Sequence, residues 1–319
     1  MLAGKAVVIT GSGKGIGAAC ARGVARQAAA VVVNDVYQDA ADETVAAITA
    51  EGGTAVAHVA DVSDWDQAGG LIAACIERFG KIDGLVNNAA LYHLGGVETY
   101  DPRVGRALVE VNVLGPMNCI GHAVKPMLAQ GSGSIVNVIS GAHMGMPGMG
   151  IYGATKGAVA SMVYTWSIEL AGSGVRMNGL SPFGATQILE NSTRFINERY
   201  GDGQVQSREP NRMSEIQPAD ENSPIVEYLL SDQAAGITGQ LVRIDRGELS
   251  LYTHPALLQP SVKRDRWDAA LVAETFDQDL KSRLVKCGVL GMESLPVELK
   301  SGHWARTASA MAAADSGAT

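Results

Sequence analysis

Tyr152 and Lys156 stand four residues apart in a segment with helical periodicity, so both side chains would project from one face of a helix. A lysine ammonium close to a phenol stabilises the phenolate and lowers the pKa of the tyrosine toward the working pH. A tyrosine with such a pKa can act as a general acid or a general base. Because a pair of this kind is structural in most proteins, its meaning depends on the motifs around it.

A glycine-rich segment near the N-terminus, Thr10-Gly-Ser-Gly-Lys-Gly-Ile-Gly17, follows a β-branched run and precedes an alanine-rich stretch. This order predicts a strand, a tight turn and a helix. Glycines in the turn let the backbone approach a pyrophosphate, and the helix N-terminus directs N–H groups and positive dipole toward it. Asp35 closes the next β-branched run, where an acidic side chain can bind a ribose. These residues predict a dinucleotide site.

Strand-like and helix-like patterns alternate through the first 250 residues. Such alternation is typical of repeated βαβ units, so we expect an α/β fold, a Rossmann-type doubly wound parallel β-sheet with helices on both faces. The predicted strands are 5–10, 30–35, 54–59, 83–87, 133–139, 174–180 and 240–244. The predicted helices are 15–29, 39–51, 64–79, 102–130 and 151–172.

The chain is interpreted as a single domain with a C-terminal extension. Residues 1–250 form the predicted dinucleotide-binding catalytic domain. Within it, 184–224 interrupts the alternation and is expected to form a lid over the carboxyl edge of the sheet, where it would shape a substrate pocket. Residues 251–319 are the extension, and its small, polar end, 308–319, is expected to be disordered.

The composition argues against several classes of protein. Of the 319 residues, 46% are hydrophobic, which suits one sizeable core. The net charge of −8 and the lack of a dense Lys/Arg cluster argue against nucleic-acid binding. No apolar stretch approaches membrane-spanning length and no signal segment precedes the first strand, so we expect a cytoplasmic protein without a membrane partner. The four cysteines and six histidines form no ligand spacing, so no catalytic metal is predicted.

Several motifs together resemble the classical short-chain dehydrogenase/reductase family, over about residues 1–250. The segment from Thr10 to Gly17 is similar to the TGxxxGxG cofactor loop of the family, and Asn87-Asn-Ala-Ala90 is similar to its NNAG segment. The pair Asp61-Val62 is similar to its adenine-contacting pair. The residues that match its catalytic tetrad are Asn112, Ser140, Tyr152 and Lys156.

The resemblance implies hydride transfer between a nicotinamide ring and a carbonyl or alcohol carbon. It implies that Tyr152 exchanges a proton with the substrate oxygen, that Ser140 hydrogen-bonds the same oxygen, and that Lys156 grips the nicotinamide ribose and depresses the pKa of Tyr152. Asn112 would anchor a water that connects Lys156 to solvent. The residues implied in cofactor binding are Gly11, Ser12, Lys14, Gly15, Ile16, Gly17, Asp35, Asp61, Val62, Asn88, Tyr152, Lys156 and Thr186.

Two residues give opposite indications about the cofactor. Asp35 would accept hydrogen bonds from a ribose 2′-hydroxyl and repel a 2′-phosphate, which favours NAD. Lys14 could attract that phosphate, which would favour NADP. A carboxylate at the ribose edge forces a like-charge contact with NADP, whereas Lys14 can point to solvent. We therefore expect NAD, with NADP as the alternative.

The predicted substrate is a small molecule, an apolar or cyclic secondary alcohol or ketone. The loop His143-Met-Gly-Met-Pro-Gly-Met149, between the serine and the tyrosine, carries three flexible thioethers that suit such a substrate. The same methionines could instead pack against helix 151–172.

Two other functions stay open. A 3-oxoacyl-thioester reductase, or 3-hydroxyacyl dehydrogenase, would need a basic patch for a phosphorylated carrier, and the predicted lid carries four arginines that could form one. They are Arg194, Arg199, Arg208 and Arg212. An inactive cofactor-binding regulator is the third possibility, and the intact tetrad argues against it.

A homo-oligomer, either a dimer or a tetramer with the tetramer favoured, is expected from the surfaces of two helices. Segments 102–130 and 151–172 carry apolar residues on more than one side, including Val109, Val113 and Trp166. One face could cover the sheet while another contacts a partner subunit. In the family that the chain resembles, these helices commonly build dimers and tetramers.

Overall fold

The structure, a computed structural model, describes residues 1–146, 148–183, 217–245 and 247–283. Its strands are Ala6–Ile9 (β1), Ala30–Asp35 (β2), Thr54–Val59 (β3), Gly84–Asn87 (β4), Gly133–Val138 (β5), Val175–Ser181 (β6), Leu241–Asp245 (β7) and Glu248–Leu251 (β8). Its α-helices are Gly15–Arg26 (α1), Gln38–Ala50 (α2), Trp65–Phe79 (α3), Pro102–Val109 (α4), Gly115–Gln130 (α5), Gly150–Glu169 (α6), Ser223–Leu230 (α7) and Ala269–Gln278 (α8).

Within the described ranges the strands form one eight-stranded sheet in the order β3-β2-β1-β4-β5-β6-β7-β8. Strands β1 to β7 run parallel, and β8 runs antiparallel to β7. The predicted Rossmann-type fold is therefore confirmed. The strand order reverses between β1 and β4, and open sheets of this kind bind ligands in the crevice at the carboxyl ends of the strands beside such a point.

Alternate residues of β1 belong to two separate core clusters. Ala6 and Val8 pack with side chains from α3, α5 and α6, whereas Val7 and Ile9 pack with side chains from α1, α2 and α7. Both faces of the sheet are thus covered by helices. Burial on both faces explains why the central strands read as continuous apolar runs in the sequence.

The prediction of one helix over 102–130 is wrong. Helix α4 ends at Val109, a π-helical turn covers Glu110–Leu114, and α5 begins at Gly115. Pro116 has no N–H to donate to the carbonyl four residues earlier, so a regular α-helix cannot continue through this point. The turn contains Asn112, whose side chain is fully buried. The interruption of the helix therefore coincides with a predicted site residue.

Strand β8 is absent from the predicted strands. It is four residues long with only two apolar residues, which is too short for its alternation to be recognised. Gly247, directly before it, has φ +76°, a left-handed value that glycine adopts without strain. The predicted boundary at residue 250 falls inside this strand.

Some predictions concern residues outside the described ranges. These are Thr186, most of the predicted lid (184–216), the four lid arginines and the predicted disordered end (308–319). In the part of the chain that is described, no helix is both long and apolar enough to span a bilayer.

Candidate active site

Helix α6 carries Tyr152 and Lys156 one turn apart, as the sequence predicts, and both are buried. The Lys156 ammonium donates a hydrogen bond of 2.7 Å to the carbonyl of Val138, the last residue of β5. Its Nζ lies 5.8 Å from the centroid of the Tyr152 ring. The anchor on Val138 therefore places a cation beside the phenol at the carboxyl edge of the sheet.

Burial governs the protonation of both groups. It raises the pKa of Tyr152 to about 12, although the neighbouring Ser140 hydroxyl acts in the opposite direction. It lowers the pKa of Lys156 to about 8. The loss of solvent around the phenol is the largest influence on the pKa of Tyr152 in this arrangement, and a lowering of that pKa by Lys156 stays a prediction. Tyr152 consequently keeps its proton at neutral pH and is a hydrogen-bond donor.

Ser140 lies just beyond β5, and it begins the 3-10 turn Gly141–Met144. Its hydroxyl accepts a hydrogen bond of 3.2 Å from the N–H of Ala142, and it lies close enough to the Tyr152 phenol to lower the pKa of that group. The turn approaches α6 closely at Gly153, where an added Cβ would lie 2.6 Å from the Ala142 carbonyl oxygen. Ser140 and Tyr152 therefore meet because position 153 carries no side chain.

Asn112 connects three segments of the site. Its Oδ1 accepts a hydrogen bond of 2.7 Å from the Leu91 N–H, and its Nδ2 donates to the Leu91 carbonyl at 2.9 Å and to the Thr155 hydroxyl at 3.1 Å. Thr155 in turn donates to the carbonyl of Tyr152. The π-helical turn thus holds the chain after β4 against α6. Since both ends of the Asn112 amide are used by protein groups, its role as an anchor for water stays a prediction.

The loop between β1 and α1 is packed at its glycines. Gly11 has φ +58°, and an added Cβ there would lie 2.7 Å from the Cα of Ala89. At Gly17 an added Cβ would lie 2.3 Å from the Gly11 carbonyl oxygen. The amide of Asn88 donates to the carbonyls of Thr10 and Gly11. These contacts bring the loop directly above the carboxyl end of β4.

Helix α1 begins at Gly15 without a side-chain cap and without an acidic residue in its first turn. Its first N–H groups and its positive dipole are therefore available to an anion, and the glycines leave room for one to approach. A dinucleotide pyrophosphate fits this cradle. Ile16 and Gly17 complete the first turn, and the exposed Lys14 precedes it.

Ser12, in the same loop, points inward. Its hydroxyl is fully buried, donates to the Ile9 carbonyl at 2.7 Å and accepts from the Asn34 N–H at 3.2 Å. Its side chain supports the conformation of the loop.

The carboxylate of Asp35 lies against the glycine loop at the end of β2. It accepts hydrogen bonds from the N–H groups of Gly13 at 3.1 Å and Tyr37 at 3.2 Å. Asp61, at the end of β3, accepts from both the N–H and the hydroxyl of Ser63. Val62 is buried and packs on Gly115 at the start of α5. Both predicted acidic residues thus lie at the carboxyl edge that carries the glycine loop.

A small apolar cluster surrounds the candidate general acid. Tyr152 packs there with Met149, Ala142 and Leu108, and partly buried apolar side chains border the cluster. These are Tyr92, Leu94, Val104, Met146 and Ile151. The burial of Met149 supports the packing interpretation for this methionine. Among the described residues, no group of three or more His, Cys, Asp and Glu side chains is placed to hold a metal ion.

The sequence model of the family described as short chain dehydrogenase matches residues 5–195, more than half of the chain. The chain belongs to this family. A relative from Methylorubrum extorquens, named an uncharacterized oxidoreductase, is 38% identical over 248 residues, which are 77% of this chain and 98% of the relative.

Two further similarities concern proteins with named activities. The 3-oxoacyl-[acyl-carrier-protein] reductase of Thermotoga maritima is 32% identical over 248 residues, 77% of this chain and 98% of that protein. The crystal structure of levodione reductase superimposes with a TM-score of 0.71 at 30% identity and covers 77% of this chain and 98% of its own. This short-chain dehydrogenase is therefore an oxidoreductase of a family that binds nicotinamide cofactors.

Several residues of this short-chain dehydrogenase that shape the site were not found from the sequence. The Tyr92 ring meets the Tyr152 ring edge to face, with centroids 5.1 Å apart. Gly153 and Thr155 lie between Tyr152 and Lys156 in the sequence and show no signal apart from their position. Asn222 is fully buried, and its amide accepts from the Phe183 N–H and donates to the Phe183 carbonyl, which holds the segment after β6.

Proposed function

We propose that this short-chain dehydrogenase transfers a hydride between a nicotinamide cofactor and a secondary alcohol or ketone, with Tyr152 as the general acid or base. The observation that carries the proposal is the buried Tyr152 phenol, which burial keeps protonated, with the Ser140 turn packed against α6 at Gly153 and Lys156 beside the ring. A neutral, positioned phenol is suited to give a proton to a carbonyl oxygen. The nicotinamide supplies or accepts the hydride when it is bound.

In the reduction direction, Tyr152 donates its proton to the substrate oxygen, and Ser140 hydrogen-bonds the same oxygen and holds it in line. The ammonium of Lys156 then stabilises the phenolate that remains, because its charge lies on the same side of the helix. In the oxidation direction the phenolate accepts the hydroxyl proton of the alcohol. Lys156 also binds the nicotinamide ribose, and Asn112 holds a water that connects Lys156 to solvent.

The proposed cofactor is NAD, with NADP as the less favoured choice. Support comes from Asp35, whose carboxylate lies against Gly13 in the glycine loop, where a 2′-phosphate would meet a negative charge. The glycine loop, with the first turn of α1, would hold the pyrophosphate. Asp61, Val62 and Asn88 would border the adenine side of the site, and Thr186 would contact the carboxamide.

The proposed substrate is apolar or cyclic. The apolar cluster around Tyr152 supports this choice, since Tyr92, Leu94 and Met146 are only partly buried beside the reacting group. The similarity to levodione reductase is in keeping with it. The second candidate is a reductase of 3-oxoacyl thioesters, which the similarity to the 3-oxoacyl-[acyl-carrier-protein] reductase of Thermotoga maritima favours.

The test measures reduced-nicotinamide absorbance with NAD and NADP in parallel. The substrates are cyclohexanol, 2-octanol and, for the second candidate, 3-hydroxybutyryl-CoA. Tyr152→Phe is the inactive variant, and Tyr228→Phe, on the outer side of α7, is its matched control. Turnover of the free alcohols that disappears in Tyr152→Phe alone supports the proposal. Turnover of the thioester alone selects the second candidate, and cofactor binding without any turnover selects the regulator.

We also propose a cytoplasmic homo-oligomer, a dimer or a tetramer. In the described structure Val109, Leu114 and Met117, which lie in or next to the π-helical turn, expose their apolar side chains. Exposed apolar side chains on helices of this kind are suited to contact between subunits. Light scattering at micromolar concentration tests the assembly, and a monomer would contradict it.

A further inference from the structure

Tyr252, the first residue after β8, is half-buried, whereas the residues around it are exposed. Residues 251 and 253–261 are exposed, but Tyr252 is half-buried and packs against the core. Its N–H donates a hydrogen bond of 2.9 Å to the carbonyl of Leu241, at the start of β7. Tyr252 is therefore fixed to the sheet by its backbone while its side chain points into the protein.

The side chain of Tyr252 makes two contacts at the carboxyl edge of the sheet. Its hydroxyl donates a hydrogen bond of 3.1 Å to the hydroxyl oxygen of Ser181, the last residue of β6. Its ring meets the His143 ring edge to face, with centroids 5.0 Å apart and an angle of 77° between the planes. The Nδ1 of His143 lies 2.5 Å from the Ser140 carbonyl oxygen. One side chain thus touches the Ser140 turn through His143 and the end of β6 directly.

These contacts lie where the regular pairing of β5 and β6 stops. The last backbone hydrogen bond between these two strands runs from the Ile139 N–H to the Leu180 carbonyl, at 2.8 Å. Ser140 and Ser181 follow directly, and beyond them no strand hydrogen bond sets the distance between the two segments. Tyr252 spans this gap.

We propose that Tyr252 is a positioning residue of the active site, which holds the Ser140 turn in register with the end of β6. The proposal rests on the proposed function, because it assigns Tyr252 an effect on proton transfer through Ser140. The cofactor loop lies between β1 and α1, on other strands, and makes none of these contacts. Loss of Tyr252 therefore lowers kcat and leaves cofactor binding unchanged.

The kinetic test uses Tyr252→Ala, Tyr252→Phe and Ser181→Ala, with the fastest of the alcohols named above as probe. A misplaced reacting group can lower a rate by about 100-fold per ångström, so we expect Tyr252→Ala to lower kcat by about 10- to 30-fold, with the KM for cofactor within about twofold. Tyr252→Phe keeps the ring and loses only the hydrogen bond, so its loss is smaller. The double variant Tyr252→Phe/Ser181→Ala should lose no more of kcat than either single variant, because each substitution removes the same hydrogen bond.

His254→Ala is the matched control. His254 lies two residues further along the same segment and bonds to the Gly239 carbonyl and contacts the Tyr164 ring, away from the Ser140 turn. We expect its kcat to equal that of the wild type. If His254→Ala reduced kcat as much as Tyr252→Ala does, the effect would be general tethering of the segment, and the proposal would be overturned.

A measurement without turnover separates this proposal from the proposed function. The His143 N–H donates to the Ser140 carbonyl within the turn, so its hydrogen exchange reports the order of the turn. We expect faster exchange in the peptide 139–146 of Tyr252→Ala, and wild-type exchange in His254→Ala. Unchanged exchange in Tyr252→Ala overturns the positioning role, whether or not the wild type is active. Inactivity of the wild type with altered exchange would contradict the proposed function alone.

Discussion

The glycine loop before α1 and the Ser140 turn before α6 lie at the same edge of the sheet, but different kinds of contact hold them. The loop is held mostly by backbone atoms at very short range, as at Gly11 and Gly17, where no side chain fits. The turn is held by side chains from distant parts of the chain, such as Asn112 through Thr155 and Tyr252 through His143. A region whose packing requires glycines close together in the chain can be recognised as a local sequence motif. A region held by side chains that are far apart in the chain has no such motif.

The largest expected effect comes from a substitution that opens the glycine loop. In Gly17→Ala the new Cβ would meet the Gly11 carbonyl and the Cα of Ser12, backbone atoms that cannot move without opening the loop. We expect NAD binding to weaken by about 100-fold or more, because the pyrophosphate loses its close approach to the backbone. Calorimetric titration measures the change. Gly70→Ala in α3, where the nearest atom is 3.9 Å from the new Cβ, serves as control and binds NAD like the wild type.

The next largest effect comes from a substitution that displaces the Ser140 turn. In Gly153→Ala the new Cβ would press on the Ala142 carbonyl and separate α6 from Ser140, so we expect kcat to fall by about 50-fold while NAD affinity changes little. The control is Gly157→Ala, one turn further along the same helix, where the new Cβ meets nothing within 4 Å. Alanine inside a helix is more stable than glycine by about 0.5–1 kcal/mol where its methyl group meets no obstacle, so we expect this control to be active and slightly more stable. Equal loss of activity in both variants would contradict the close-approach argument.

Stability measurements extend the comparison to the buried charge of Lys156 on α6. Burial lowers the pKa of Lys156 from 10.5 to about 8, so the charged ammonium opposes folding below pH 8. Lys156→Met should raise the free energy of unfolding at pH 7 by up to about 3 kcal/mol, while activity is lost. Between pH 8 and 10.5 the unfolded chain binds the proton and the folded chain does not, so the wild type gains stability with pH and the difference shrinks. Denaturant titrations across this range test the sign, and a constant difference would contradict it.

The smallest expected effect concerns the choice of cofactor at the glycine loop. Asp35→Ala removes the negative charge beside Gly13, and we expect the preference for NAD over NADP to fall by about tenfold. The ratio of kcat/KM for the two cofactors measures it. Glu77→Ala removes an equal charge at an exposed position near the end of α3, where the chain leads into the start of β4, and should leave the ratio unchanged. An unchanged ratio in both variants would show that another residue selects the cofactor.

Much of the fold followed from local patterns. The strands that were predicted match β1 to β7 within a residue or two, because each is a compact apolar run closed by a turn residue. The π-helical turn at Asn112 was not recognised, since its apolar periodicity continues from α4 into α5 and only Pro116 signals a break. Strand β8 was missed because a four-residue edge strand carries too little pattern.

By itself the sequence determined the parallel sheet, the glycine loop and the spacing of Tyr152 and Lys156, since each depends on residues close together in the chain. Only the tertiary structure decided that Gly153 seats α6 on the Ser140 turn and that Tyr252 joins this turn to the end of β6. It also decided the direction of the pKa of Tyr152, which burial raises to about 12 against the opposite influence of Ser140. The physical reason is the same in each case: close packing and desolvation depend on which distant segments surround a group, and one-dimensional spacing carries no record of them.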